Sequence, residues 1–303
     1  MALAMKTTIT EDRSRGPVFD VSDERTFREN FNKTSFGVEH HLADHPLFAF
    51  DRLFALVRTK RAKGELYWDM GDMRINQKWN EVPAPSLSIE EAFNRIENAN
   101  AWLILRSVHT EPDYRAILDA SMAQVERLSG VDFSRFVKLK DSIIFITSPR
   151  RITTYHMDRE CSMLLQIRGD KVVSVFDPKD REVLTEEEIE RFWAVDNNAA
   201  SYKERYQNRA STYHLKPGQA VHIPVNAPHW VENGEGVSIS MNINFHYHDF
   251  VRADLYRANH VLRRLGLSPT PPGTSRVRDA VKRLAIGKSI SVVNAIRRHT
   301  RKE

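Results

Sequence analysis

The chain contains almost no cysteine and no long apolar segment. Cys161 is the only cysteine among 303 residues, so no disulfide can form within the chain, as is typical of proteins from a reducing compartment. No apolar run approaches the roughly 20 residues that a membrane-spanning helix needs. Residues 1–6 lack the apolar core of a secretion signal. These absences predict a cytoplasmic protein that has no membrane partner.

Acidic residues are scarce near the C-terminus, where positive charge accumulates. The net charge of the chain is +5, but residues 251–303 contain 13 Lys or Arg against 3 Asp or Glu, a net charge of +10. A basic segment of this kind can contact nucleic acid, although a solvated helical face is the simpler interpretation. We expect residues 251–303 to form a basic helical tail, which is also a candidate for joining two copies of the chain as a homodimer.

The overall composition is that of a soluble globular protein, with 41% hydrophobic and 28% charged residues. Residues 1–21 are polar and are expected to form a flexible N-terminal arm. A domain over residues 22–250 follows. Apolar residues at spacings of three and four, such as Val125 and Leu128, predict that its first part, residues 22–140, is helical.

At Ser142 the apolar period changes from that of helices to that of strands. Short runs rich in β-branched residues predict strands over 143–147, 163–167, 171–176, 211–215, 219–223, 230–232 and 237–247. This spacing of strands is typical of a double-stranded β-helix, or jelly roll. We therefore predict a mainly β fold with flanking helices, whose β-helix core occupies residues 141–250. The turn at 168–170 predicts that the two strands around it pair as a hairpin.

His156 and Asp158 stand two residues apart beside one of these strand-forming runs. Side chains two residues apart on a strand point to the same face. His229, which follows Ile223-Pro224 at the start of another strand, would complete two imidazoles and one carboxylate on one side of a metal ion. That ligand set is typical of non-haem Fe(II) oxygenases because it leaves adjacent coordination positions open. We predict that these three residues are the metal ligands and the catalytic centre.

The remaining histidines fit a ligand role less well. A His and an Asp two residues apart occur readily by chance, so the assignment depends on the β-rich surroundings rather than on the pair alone. His222 precedes His229 on the same strand-forming stretch, and His246 lies near the end of the last long strand. For both of them a structural role is the simpler interpretation.

Further motifs follow the metal motif in a fixed order. Residues 166–171, with the sequence Gln-Ile-Arg-Gly-Asp-Lys, place Lys171 15 residues after His156, and Asn244-Phe245-His246 comes after His229. In these motifs the chain resembles the JmjC/cupin-like branch of Fe(II)- and 2-oxoglutarate-dependent oxygenases, the branch that includes the asparaginyl hydroxylase known as factor inhibiting HIF. The resemblance covers residues 27–247 and is strongest from Ser142 onward.

The resemblance implies a cofactor, a co-substrate and three further site residues. The triad would hold Fe(II), and 2-oxoglutarate would chelate the iron and extend its far carboxylate to Lys171, where Thr153 would add a hydroxyl donor. Asn244 would line the pocket near the metal. In this family O2 oxidises 2-oxoglutarate to succinate and CO2 while the substrate, a protein side chain or a small metabolite, is hydroxylated. The aromatic hydroxyl that often assists co-substrate binding in this family has no clear counterpart here, and Tyr155 and Tyr213 are candidates for it.

Two alternatives remain open at the level of sequence. The first is a non-catalytic cupin-like regulatory or binding protein whose basic tail contacts nucleic acid. The second is a cupin metalloprotein that uses Zn, Mn or Ni without 2-oxoglutarate, although such a site gives no reason for a buried cation at Lys171.

Overall fold

Strands dominate the chain from residue 137 onward, and helices alternate with strands before that point. The computed structural model describes residues 17–78, 81–82, 84–247 and 250–284. Its helices are α1 Glu24–Asn30, α2 Phe50–Ala62, α3 Ile89–Asn94, α4 Pro112–Ser129, α5 Phe133–Phe136, α6 Glu186–Ala194 and α7 Phe250–Arg264. Its strands are β1 Phe19–Asp20, β2 Phe36–His40, β3 Leu66–Met70, β4 Ala101–Leu105, β5 Val137–Thr147, β6 Ile152–His156, β7 Cys161–Arg168, β8 Lys171–Val175, β9 Ser211–Leu215, β10 Gln219–Ile223, β11 His229–Asn233 and β12 Ser238–Tyr247.

The strands form two antiparallel sheets. The large sheet has the order β1-β2-β10-β7-β12-β5-β4-β3, and the small sheet has the order β6-β11-β8-β9. Apolar side chains from both sheets, including Leu164, Val173 and Val231, pack into one buried cluster between them. Two facing antiparallel sheets that exchange successive strands form a jelly roll with flanking helices, as the strand pattern predicted.

Helices α1 to α5 cover the outer face of the large sheet. Ile144 of β5 and Met241 of β12 share one buried cluster with Phe27 of α1, Leu53 of α2 and Met122 of α4. Successive strand residues point to opposite faces, so the other face of β5 and β12 is left for the space between the sheets. The large sheet therefore separates a helical core from the cavity described below.

The prediction that residues 22–140 are helical is only partly right. Strands β2, β3 and β4 lie in this region and extend the large sheet at both ends, because β2 pairs with β10 and β4 pairs with β5. Residues 101–105 are a short apolar run, and periodicity alone cannot separate such a run from a buried helical segment.

The C-terminal end of the predicted N-terminal arm is anchored to the domain. Residues 1–16 lie outside the described residues, but Phe19 is buried and β1 pairs with β2. The backbone N–H of Phe19 donates to Oε1 of Gln124 on α4 at 2.9 Å. The arm is therefore held to the domain at least from β1 onward.

The hairpin predicted around residues 168–170 is wrong. β7 belongs to the large sheet, where it pairs with β10 and β12, whereas β8 pairs with β11 and β9 in the small sheet. The turn is therefore a corner that carries the chain from one sheet to the other. Gly169 has a φ of +69°, and a Cβ at this position would overlap the carbonyl oxygen of Val237. Glycine is required there for both reasons.

The basic tail is helical where it is described. α7 ends at Arg264, and a second helical segment covers residues 276–284. Residues 285–303 lie outside the described residues, so dimerisation and nucleic-acid contact through the tail stay predictions. Of the described helices, none combines the length and the apolar character that a bilayer crossing requires.

We expect the corner at Gly169 to tolerate alanine much less well than Gly64 does. Both glycines have a φ of +69°, but nothing lies within 4 Å of a Cβ added to Gly64. The left-handed backbone should cost each variant about 1–2 kcal/mol. Steric overlap with Val237 should cost Gly169→Ala about 1–3 kcal/mol more. Urea denaturation measures both losses, and equal values for the two variants would contradict this account of the corner.

Candidate metal centre and its pocket

Two neighbouring strands of the small sheet bring two histidines together. His156 is the last residue of β6 and His229 is the first residue of β11, and the two are paired in the antiparallel register. Their ring centroids lie 4.2 Å apart. The strand register thus places the two imidazoles side by side, although they are far apart in sequence.

A carboxylate joins the two imidazoles, as the sequence predicted. Oδ2 of Asp158 lies 3.8 Å from Nε2 of His156 and 3.7 Å from Nε2 of His229. One ligand atom from each of the three residues lies within 4.8 Å of the others, and no other such group of His, Cys, Asp or Glu occurs in the described part of the chain. These donors suit a divalent transition metal.

The position of Asp158 in the chain fold differs from the predicted one. β6 ends at His156, so Asp158 does not continue the strand but lies in the loop that leads to β7. Strand alternation therefore does not bring its carboxylate to the imidazoles. The conformation of the loop does so instead.

The imidazole rings are held in the tautomer that a metal requires. Nδ1 of His156 donates to the carbonyl oxygen of Thr154 at 2.7 Å, and Nδ1 of His229 donates to that of Ala227 at 3.0 Å. A carbonyl can only accept, so Nδ1 carries the proton and Nε2 offers its lone pair. Burial, together with the neighbouring His156, lowers the pKa of His229 to about 4, which keeps this ring in the neutral form that binds metals.

The three residues lie in a cavity of about 330 Å³ between the two sheets. Alternate residues of three strands of the large sheet form one wall: Trp102 and Ile104 on β4 with Arg106 just after it, Asp141, Ile143, Phe145 and Thr147 on β5, and Asn242, Asn244 and His246 on β12. The small sheet provides the opposite wall. The cavity combines apolar walls with a few converging polar groups, which is typical of a ligand pocket.

Lys171, at the start of β8, contributes a buried cation to this pocket. Its relative exposure is 5%, and it lines the same cavity as the triad. Burial lowers the pKa of Lys171 to about 7, and no acidic group of the described residues offsets that shift. A buried ammonium without a counter-ion is costly. The pocket is therefore suited to a ligand that brings an anionic group to Lys171.

The two other predicted pocket residues also line the cavity. Thr153 lies on β6 opposite Val231 of β11. Asn244 is buried, and its Oδ1 accepts a hydrogen bond of 2.8 Å from Nδ2 of Asn242. The structure thus brings all six predicted site residues to one cavity.

Neither tyrosine proposed for the aromatic hydroxyl lines this cavity. Tyr155 points away from it and packs against Phe176 and Trp230, and burial raises the pKa of its hydroxyl. The hydroxyl of Tyr213 donates to Oγ of Ser35 at 2.9 Å instead. The two tyrosines therefore have structural contacts in place of a ligand.

Glu160 and His246 line the pocket but were not among the predicted site residues. Glu160 lines the cavity, where burial and the neighbouring Asp158 raise the pKa of its carboxyl group. Its Oε1 lies 3.3 Å from Nε2 of His246, for which the sequence favoured a structural role over lining the pocket. The period-two spacing of Asn242, Asn244 and His246 on β12 would have indicated that all three share one face.

His222, in contrast, lies outside the cavity. It is fully buried, packs against Phe31 and Phe36, and its Nδ1 lies 3.0 Å from the carbonyl oxygen of Ser162. Burial lowers its pKa to about 3, so the ring is neutral. These contacts fit the structural role expected for this residue.

Comparison with known proteins relates the chain to one family. The family model of the Cupin-like domain matches residues 55–250. The X-ray structure of YcfD from Escherichia coli is similar, with a TM-score of 0.53, 14% identity, and coverage of 90% of this chain and 68% of that chain. A structure of the same E. coli protein, there called a ribosomal oxygenase, has a TM-score of 0.50 and 13% identity over the same shares of both chains.

A further structure of YcfD, in complex with cobalt and 2-oxoglutarate, has a TM-score of 0.50 and 15% identity. It is matched over 85% of this chain and 61% of that chain. Identities this low show a shared fold. No curated protein sequence matches this chain significantly.

Removing one donor of the triad should weaken binding of a divalent metal strongly. We expect His156→Ala and Asp158→Ala each to lower the affinity for Co(II) at least about tenfold, because each leaves only two donors on the ion. His214→Ala, which removes an exposed histidine of β9, is the matched control. Isothermal titration calorimetry measures the affinities, and retention of wild-type affinity in both triad variants would rule out this site.

Proposed function

The chain belongs to the Cupin-like domain family, and from that premise we propose that it is an Fe(II)- and 2-oxoglutarate-dependent oxygenase that hydroxylates its substrate. The observation that carries the proposal is the pairing of two features in one cavity. A His-Asp-His cluster suited to a divalent metal and a buried ammonium without a counter-ion both line the space between the sheets. An ordinary metal site needs only the first of them.

The donor set supports Fe(II) as the metal. His156, Asp158 and His229 would occupy one face of the ion and leave the opposite positions for other ligands. Oxygen and imidazole donors without thiolates suit iron better than metals that select sulfur. The hydrogen bonds from both Nδ1 atoms to backbone carbonyls would hold the rings in place when the ion binds.

Lys171 supports 2-oxoglutarate as the co-substrate. This molecule carries a carboxylate at each end, so one end can bind at the metal while the other reaches a fixed cation. The ammonium of Lys171 would make a charge-assisted hydrogen bond to the far carboxylate, and the hydroxyl of Thr153 would add a neutral one. The complex of YcfD with cobalt and 2-oxoglutarate is a precedent for such a ligand in a related fold.

The chemistry of the reaction would come from the bound groups rather than from a protein base. Iron bound by the triad would supply the redox chemistry, in which O2 is reduced while 2-oxoglutarate is decarboxylated, so that one oxygen atom ends in succinate, the other in a C–H bond of the substrate, and CO2 is released. The residues of this chain bind and orient the reactants. The apolar side chains of Leu164, Ile223 and Val231 would keep water from the space between the metal and Lys171.

The size of the cavity bears on the substrate. A space of about 330 Å³ that also holds 2-oxoglutarate leaves room for one side chain of a protein or for a small metabolite. A second cavity of about 220 Å³ shares Trp102, Ile104, Arg106, Thr153 and His156 with the first, so the two spaces adjoin each other. A protein substrate, whose side chain enters while its backbone stays outside, fits this shape.

We expect the purified protein, supplied with Fe(II), O2 and 2-oxoglutarate, to release succinate. Asp158→Ala should lower that release at least about a hundredfold, because a metal ligand is lost. His214→Ala should keep wild-type release. Succinate is measured by mass spectrometry, and continued release by Asp158→Ala would contradict the assignment of the catalytic centre.

Affinity for 2-oxoglutarate should depend on the protonation of Lys171. Its pKa of about 7 in the free protein would rise when a carboxylate binds, so binding takes up a proton. Above pH 7 the affinity should therefore fall by up to about tenfold per pH unit, until the pKa of the complex is reached. Calorimetry in two buffers of different ionisation enthalpy measures the proton uptake directly.

Lys171→Met keeps the length of the side chain and removes its charge. We expect this variant to bind 2-oxoglutarate weakly at every pH and to bind Co(II) like the wild type, because the triad is unchanged. Equal 2-oxoglutarate affinity in the variant and the wild type would overturn the role of Lys171.

A further inference from the structure

Asp158 is the least constrained member of the triad. His156 and His229 are fixed by strand pairing and by hydrogen bonds of their own rings to the backbone. Asp158 lies in a loop, and its side chain is 37% exposed, against 6% for His229. Another contact has to hold its carboxylate toward the imidazoles.

Asn226 makes that contact. Its backbone N–H donates to the carbonyl oxygen of Asp158 at 3.0 Å. It lies in the turn between β10 and β11, three residues before His229, so it joins the two segments that carry the metal ligands. Asn226 is buried and has a φ of +63°, in the left-handed region that few residues other than glycine and asparagine adopt readily.

The side chain of Asn226 is itself fixed by a hydrogen bond from a helix. Its Oδ1 accepts a hydrogen bond of 2.9 Å from Nε1 of Trp193 on α6. The indole ring of Trp193 stacks on Tyr256 of α7, with centroids 6.3 Å apart, and its backbone carbonyl accepts from Nε of Arg257 at 3.1 Å. A continuous set of contacts therefore runs from α7 through Trp193 and Asn226 to Asp158.

We propose that Asn226 is a positioning residue, held by Trp193, that orients the Asp158 loop so that its carboxylate faces the two imidazoles. The inference rests on the proposed metal site. Asn226 makes both hydrogen bonds, because its backbone N–H donates to the Asp158 loop while its side-chain amide oxygen accepts from Trp193 on α6. Neither glycine nor alanine combines a tolerated positive φ with that acceptor.

A simpler role, that of a turn residue with a positive φ, makes a different prediction. Asn226→Gly keeps the backbone conformation and the N–H that bonds to Asp158, and it removes only the acceptor for Trp193. Trp193→Phe keeps an aromatic ring that can stack on Tyr256 and removes the indole N–H together with the second ring of the indole. If the turn alone matters, both variants should bind metal like the wild type.

The experiment compares Co(II) binding by the full-length wild type, Asn226→Gly, Trp193→Phe and the double variant. Calorimetry gives the affinity, and the visible absorption of bound Co(II) reports its coordination. Partners that orient metal ligands typically contribute about tenfold or more to metal affinity. We expect each single variant to lose about tenfold and to show an altered Co(II) spectrum. The double variant should lose no more Co(II) affinity than either single variant, because both substitutions remove the same hydrogen bond.

Two further variants separate positioning from general damage. Asn226→Asp keeps an acceptor for Trp193 and tolerates the positive φ, so it should restore the wild-type Co(II) spectrum. Asn100→Gly is the matched control, since Asn100 also has a positive φ, of 48°, but lies outside the pocket and bonds to Asp72. It should leave the affinity and the spectrum unchanged.

The outcomes are distinguishable. If the wild type fails to bind Co(II), the proposed metal site itself is wrong. If the wild type binds and Asn226→Gly keeps its affinity and spectrum, the positioning role is overturned while the metal site stands. If the losses of the two single variants multiply in the double variant, Asn226 and Trp193 act separately, and the proposed link between them is overturned.

Discussion

The pairing of β6 with β11 is the constraint on which the site depends. It sets His156 opposite His229, so the two imidazoles meet only in this register. Side chains alternate along a strand, and a shift of one residue would turn either histidine out of the cavity. On the outer side of the same strands, Tyr155 and Trp230 pack in a buried aromatic cluster that such a shift would also break. Packing on one face of the small sheet thus specifies the chemistry on the other.

The triad and Lys171, which line the same cavity, differ in how far their side chains are buried. At the triad, the partly exposed side chains of His156 and Asp158 face the cavity that the proposed substrate would enter. At Lys171 the protein accepts the cost of a buried ammonium, which an anionic ligand would remove. Features that lower the stability of the free protein and serve a ligand are characteristic of functional sites. The cost is therefore an argument for the ligand and not a defect of the fold.

The sequence was sufficient to predict the jelly roll and to select six residues that share one cavity, because both leave local patterns. β9, β10 and β12 follow runs of β-branched residues, and the triad and Lys171 stand in short motifs. Local patterns did not reveal that β8 leaves the sheet of β7, since the same turn at Gly169 serves a hairpin or a corner. They also missed β4, whose apolar run has no clear period, and the contribution of Asn226 to the loop of Asp158. That contribution depends on Trp193, 33 residues away in sequence.

The order of the strands in the large sheet has a consequence for biosynthesis. β12 is the last strand of the described residues, yet it lies in the middle of the sheet between β7 and β5. Until it has been translated, a nascent chain presents two unpaired inner edges, and exposed edges of this kind invite association with other chains. Folding of this protein is thus expected to be non-local and late, with a need for protection during synthesis that a protein built from sequential hairpins would not have.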